Sequence, residues 1–222
     1  MRFAVLVYEG VEPIDLGTYG VLSMARRVAP QISVFLVAPE PGRVELASGL
    51  SVVAEYGIAD CPAADVLIIC GGPGWPAQAD DERMLKFIRK FAGSGAVAAV
   101  CTGGMILAAT GLLDGCKATT KQQVTAGENP PLRVMSQRYP GIEVVDARLV
   151  DEGRLITAGG VTLGIDATFY LLRRFLGEDV ANETARIMEY SHAWRANQAA
   201  YREFISKEKA DASGFTQASP QR

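Results

Sequence analysis

The chain has 222 residues and a formal net charge of −3, enough length for one α/β domain with a substantial core. Hydrophobic residues make up 49% and charged residues 21%, as in soluble globular domains. No basic cluster argues for a nucleic-acid partner, and no apolar run approaches the ~20 residues that span a bilayer.

Arg2 to Tyr8 open directly as a strand, with no signal-peptide pattern. After a polar loop at residues 9–13, Ile14, Asp15 and Leu16 begin a helix expected to run through about Val28. Asp15 has apolar neighbours on both sides. It is therefore either a cap for that helix or a carboxylate aimed into a site. Residues 31–38 form a second strand, residues 39–42 a turn, and two short extended pieces follow around 44–46 and 52–54. Asp65 to Cys70 is a further parallel-sheet strand, ending in Gly71-Gly72-Pro73-Gly74. Open α/β sheets place ligands at this end of a strand. The loop fits neither a dinucleotide fingerprint nor a phosphate loop. Its glycines either bring backbone N–H groups to a developing anion or make a tight strand-to-helix connection. Trp75 beside it either walls a pocket or covers the core.

An amphipathic helix follows over residues 80–92, with Met84, Leu85, Phe87, Ile88 and Phe91 as its apolar stripe. Then comes the most informative stretch. Residues 96–100 are an apolar strand that turns at Cys101 and continues as a helix to near Gly111. A strand passing into a helix through one polar residue has the form of a nucleophile elbow, with sulfur in place of oxygen. A helix N-terminus favours thiolate, so the context predicts a reactive Cys101 with a depressed pKa. Thr102 and Thr162 are candidates to position water or substrate. The elbow and the Gly71-Gly72 loop both follow central strands, so both lie on one sheet edge.

Residues 112–115 read as a turn, 116–123 carry no clear assignment, and 132–138 form a short helix. Residues 142–150 and 155–158 pair as strands across the turn at 151–153. Gly159, Gly160, Val161 and Thr162 lead into a helix over 163–176, and the last helix spans 179–190. Beyond Ser191 the chain turns polar, so residues 1–190 read as the domain and 191–222 as an extension, with a mobile tail over 207–222. The pattern is a doubly wound α/β sandwich, its mostly parallel sheet covered by helices on both faces. The four cysteines (61, 70, 101, 116) lack metal-ligand spacing and read as reduced thiols of a cytoplasmic protein. No metal or cofactor motif is present.

Several separated motifs in this order resemble the ThiJ/PfpI superfamily, whose fold is that of class I glutamine amidotransferases. They are Asp15 after the first strand, Ile69 to Gly74, Ala99 to Gly103, Gly111-Leu112-Leu113, Ala118-Thr119-Thr120 and Gly159 to Asp166. The Asp before the first helix and the Cys-Thr-Gly elbow look most like the isonitrile hydratase group. The resemblance implies a homodimer that converts an isocyanide and water to an N-substituted formamide, with Cys101 as nucleophile and Asp15 as proton carrier. Gly71, Gly72 and Thr102 would then lie around the reacting atoms. Many relatives have a histidine after Ala-Thr-Thr, where this chain has Lys121. The one histidine, His192, falls near the end of the folded region, so the obvious Cys–His pair is missing. Two other functions use the same thiol. One is a cofactor-independent glyoxalase acting on 2-oxoaldehydes, the other a non-enzymatic sensor in which Cys101 is oxidised. A sensing module of a transcription regulator is disfavoured, because no DNA-binding domain fits after residue 190.

Overall fold

The strands that position the site are continuous apolar runs, which is what burial on both faces of a sheet demands. In the computed structural model, which describes residues 1–206, they are β1 (Arg2–Leu6), β2 (Ser33–Ala38), β3 (Gly42–Glu45), β4 (Ser51–Ala54), β5 (Tyr56–Gly57) and β6 (Val66–Ile69). These are followed by β7 (Ala96–Ala99), β8 (Lys117–Ala118), β9 (Glu143–Val144), β10 (Leu149–Asp151), β11 (Leu155–Ala158) and β12 (Glu203–Ile205). The main sheet has the order β12-β10-β11-β7-β6-β1-β2-β5. Every pairing in it is parallel except β10 with β11. The small pairs β3–β4 and β8–β9 stand apart from it.

The helices are α1 (Gly17–Ala25), α2 (Trp75–Ala79), α3 (Glu82–Ala92), α4 (Gly103–Ala109), α5 (Pro131–Arg138), α6 (Leu163–Leu176), α7 (Glu178–Ile187) and α8 (Ser191–Ala200). Helices α1, α6 and α7 pack on one another, and α4 packs against α2, α3 and α5, giving the two helical layers of the expected sandwich. Of the stripe expected on α3, Met84, Leu85, Ile88 and Phe91 are buried and Phe87 is half-buried. Full burial of each such large side chain contributes roughly 1.5–3 kcal/mol. Ile69, Ala99 and Thr157 are register partners across β6, β7 and β11. The segments leaving these three strands therefore emerge side by side.

Several elements differ from the sequence reading. The helix expected over 14–28 begins as a 3₁₀ turn, Pro13–Leu16, and becomes regular only in α1. The helix expected over 80–92 is α3, which Asp81 caps by accepting the Arg83 N–H at 2.8 Å, and a short helix not expected from the sequence, α2, precedes it. The strand expected over 142–150 is interrupted between β9 and β10. The chain also continues in regular structure past 190, through α8 and β12. Trp194 on α8 is 3% exposed and lies against Phe169, ring centroids 5.1 Å apart. Buried Arg148 pairs with Asp166 at 3.7 Å and with Glu203 of β12, while Asp166 accepts from Tyr190 and Asn197 at 3.0 Å each. Buried charges persist only when paired in this way. Polar composition after 190 thus conceals a packed segment; the tail expected over 207–222 lies outside the described residues.

Candidate active site

Cys101 leaves β7 in the left-handed backbone region, φ 52°, and Thr102 is the N-cap position of α4. A non-glycine residue there carries roughly 1–3 kcal/mol of strain, so the surroundings must hold it. The Cys101 N–H donates to Gly159 O at 3.1 Å, and its carbonyl accepts from Thr120 Oγ1 at 2.6 Å. The elbow also presses on its neighbours. A Cβ on Gly71 would fall 2.4 Å from the Thr102 nitrogen and 2.9 Å from Cys101 Cβ. Only glycine lets the two loops approach so closely.

Asp15 is 1% exposed. Its Oδ2 accepts the Gly71 N–H at 2.7 Å, linking the segments that follow the adjacent strands β1 and β6. Glu12 stands at the N-cap of the turn that holds Asp15 and Leu16 at that of α1, so Asp15 is not a helix cap. Oδ1 is buried without a hydrogen-bond partner, and the Asp15 carboxyl and the Cys101 thiol act electrostatically on one another. Burial pushes the Asp15 pKa up to about 7; the Gly71 N–H opposes this, the Glu12 charge adds to it, and Lys121 and Cys101 oppose it.

The thiol is raised, contrary to the expectation from the helix end. Burial first, and the Asp15 charge second, push Cys101 up to about 11, against N–H groups of Val161 and Thr102 and the charge of Lys121. Cys101 is 3% exposed, and α4 has only seven residues. Desolvation of a thiolate outweighs the short dipole and two donors.

Of the other expected residues, Gly71, Gly72 and Thr102 gather around this pair, but their polar groups are occupied. The Gly71 N–H serves Asp15, and the Gly72 N–H donates to Thr102 Oγ1 at 2.8 Å. The Thr102 hydroxyl in turn donates to Gly72 O at 3.2 Å. These groups lock the two loops together. Thr162 is exposed at the start of α6 and makes no capping bond. Trp75 is half-buried against the core, and His192 is exposed on α8 while the thiol is buried.

The sequence reading missed Val161. Its φ is 58°, an outlier for a β-branched residue, and its N–H favours the charged form of the Cys101 sulfur. It missed Tyr8 as well, fully buried beside the pair with its hydroxyl donating to Cys70 O at 2.9 Å. Tyr8 ends an apolar run and carried no signal, whereas Val161 stands in the Gly159-Gly160-Val161-Thr162 motif, whose glycines were the available clue. A surface groove of about 950 Å³ between α3 and the segments around Pro39 and Ile58 includes neither Cys101 nor Asp15. Among the described residues no group of three or more His, Cys, Asp or Glu side chains could hold a metal ion, and no helix is long and apolar enough to cross a membrane.

Comparison with known proteins adds to this geometry. The DJ-1/PfpI family profile matches residues 1–174. Isonitrile hydratase of Pseudomonas putida is 33% identical over 195 residues, covering 87% of this chain and 80% of that protein. A crystal structure of a ThiJ/PfpI family protein from Pseudomonas syringae superposes with a TM-score of 0.74 at 25% identity, covering 96% of this chain and 90% of that one. Drosophila melanogaster DJ-1beta shares the fold, with a TM-score of 0.72 at 20% identity over 85% of this chain and 97% of that one.

Proposed function

The chain belongs to the DJ-1/PfpI family, and on that premise we propose that it is a lyase-type hydratase that adds water to an isocyanide and releases an N-substituted formamide. The observation that carries the reading is the pairing of Cys101 with a buried carboxyl whose pKa sits at about 7. A group so poised can both take and return a proton near neutral pH. The similarity to isonitrile hydratase supports the same chemistry.

At rest the sulfur keeps its proton and Asp15 is the base. As the isocyanide carbon approaches, Asp15 takes the thiol proton and Sγ attacks that carbon. The N–H groups of Val161 and Thr102 stabilise the sulfur's negative charge while it lasts. The proton passes from Asp15 to the same carbon, giving a thioimidate, R–N=CH–S–Cys101. Water then adds to that carbon, one of its protons going to nitrogen through Asp15. The C–S bond breaks, the hydroxyl proton returns to sulfur, and R–NH–CHO leaves. The net reaction is RNC plus water, and no other reactant is consumed.

The test is turnover of an aryl isocyanide by the purified protein, with formamide measured by mass spectrometry and methylglyoxal as the competing substrate. Cys101→Ala should abolish formamide production while melting as a folded protein. Turnover of methylglyoxal without turnover of the isocyanide, or more than a few per cent of activity in Cys101→Ala, would reject the reading.

A further inference from the structure

Lys121 is anchored beside the nucleophile from two sides. The preceding Thr120 donates its hydroxyl to the Cys101 carbonyl at 2.6 Å, and the Lys121 carbonyl accepts from the Leu132 N–H at 3.0 Å. Its aliphatic stem lies over Gly160, where a Cβ would come within 2.7 Å of Lys121 Cγ and 2.8 Å of its Cβ. The next residue, Val161, is the one whose N–H favours the charged form of the sulfur. The stem therefore lies against the Gly160–Val161 segment that follows β11, and the side chain is half-buried.

The ammonium acts on both Cys101 and Asp15, favouring the charged form of each. It is not the hydrogen-bonding partner of Asp15, because Oδ2 is bonded to the Gly71 N–H and Oδ1 has no partner. Among the described residues no ion pair includes Lys121. A cation held beside a buried nucleophile without a carboxylate of its own is suited to receive one from a ligand.

We propose that Lys121 determines specificity by binding an anionic group, such as a carboxylate, on the substrate while the reacting carbon meets Cys101. Combined with the hydratase reading, on which this part rests, the substrate class is an isocyanide whose substituent carries a carboxylate. The anion site itself stands on the placement of Lys121 and does not need that reaction.

The two claims separate experimentally. Alkylation of Cys101 in the full chain is followed by peptide mass spectrometry with anionic iodoacetate and neutral iodoacetamide. Both reagents form the same kind of C–S bond and expel iodide, so their rate ratio cancels the thiolate fraction. At low salt the iodoacetate-to-iodoacetamide ratio at Cys101 should be about 5-fold higher than in Lys121→Gln, as a nearby unit charge in a partly exposed site gives, the Asp15 charge being common to both proteins. Lys121→Arg should keep the higher ratio. In parallel, kcat/KM is compared for 4-isocyanobenzoate and phenyl isocyanide. Lys121→Gln should lower the first more than the second. An iodoacetate preference with no isocyanide turnover would leave the anion site standing and overturn the hydratase. Turnover of isocyanides with both ratios unchanged in Lys121→Gln would do the reverse.

Discussion

Asp15→Asn separates the acid–base role from every structural role of the side chain. The amide keeps the shape and an oxygen to accept the Gly71 N–H, which Asp15 Oδ2 now accepts at 2.7 Å. It cannot ionise. Burial raises the Asp15 pKa from 3.8 to about 7. At ~1.36 kcal/mol per tenfold change in the proton equilibrium, ionised Asp15 weakens the fold by ~4 kcal/mol. The sign follows from proton counts: between pH 4 and 7 the folded chain holds a proton that the unfolded chain has released. Wild-type stability therefore falls as pH rises through that window and levels off above it. The Asn variant lacks this term. Its amide N–H groups beside a buried sulfur give back roughly 1–3 kcal/mol at any pH. Melting of both proteins at pH 4.5 and pH 8 should show the variant gaining several degrees on wild type at the higher pH, at about 2–4 °C per kcal/mol. Isocyanide turnover should meanwhile drop by about 10²–10⁴-fold, as for a lost general acid or base. A melting difference independent of pH would refute the buried, raised carboxyl. Unchanged turnover would refute Asp15 as proton carrier.

Three further outcomes follow from the same contacts. Iodoacetamide labelling of Cys101 should rise only well above pH 8.5, toward about 11, and Asp15→Asn should move it down by removing the carboxylate charge; labelling complete by pH 8 would show a thiolate formed in advance. Thr102→Val takes away the acceptor of the buried Gly72 N–H, so urea unfolding should show a loss of about 1–3 kcal/mol. Trp194→Ala should destabilise the whole chain by about 3–5 kcal/mol, since the indole is packed on Phe169; a change near zero would return the segment after 190 to the status of an appendage.

The sequence by itself determined the alternation of apolar strands and amphipathic helices, because burial on two faces and the 3.6-residue period are written in residue order. It also located the elbow, since only a strand-to-helix turn leaves a lone polar residue between two apolar runs. Gly71 and Gly72 were legible as neighbours of the Cys101-Thr102 elbow because parallel strands deliver their loops to one edge, whereas Asp15 joined them only through the family resemblance. What they do there was decided by the tertiary structure. Asp15 could be read as cap or carboxylate until the fold set its Oδ2 on the Gly71 N–H. The N–H groups of Gly71 and Gly72 are occupied within the site, and Val161, an inconspicuous apolar residue, supplies a donor to the sulfur. The thiol's pKa followed the same rule. A helix start is visible in the chain, but the desolvation that outweighs it depends on what the rest of the molecule places around one buried sulfur atom.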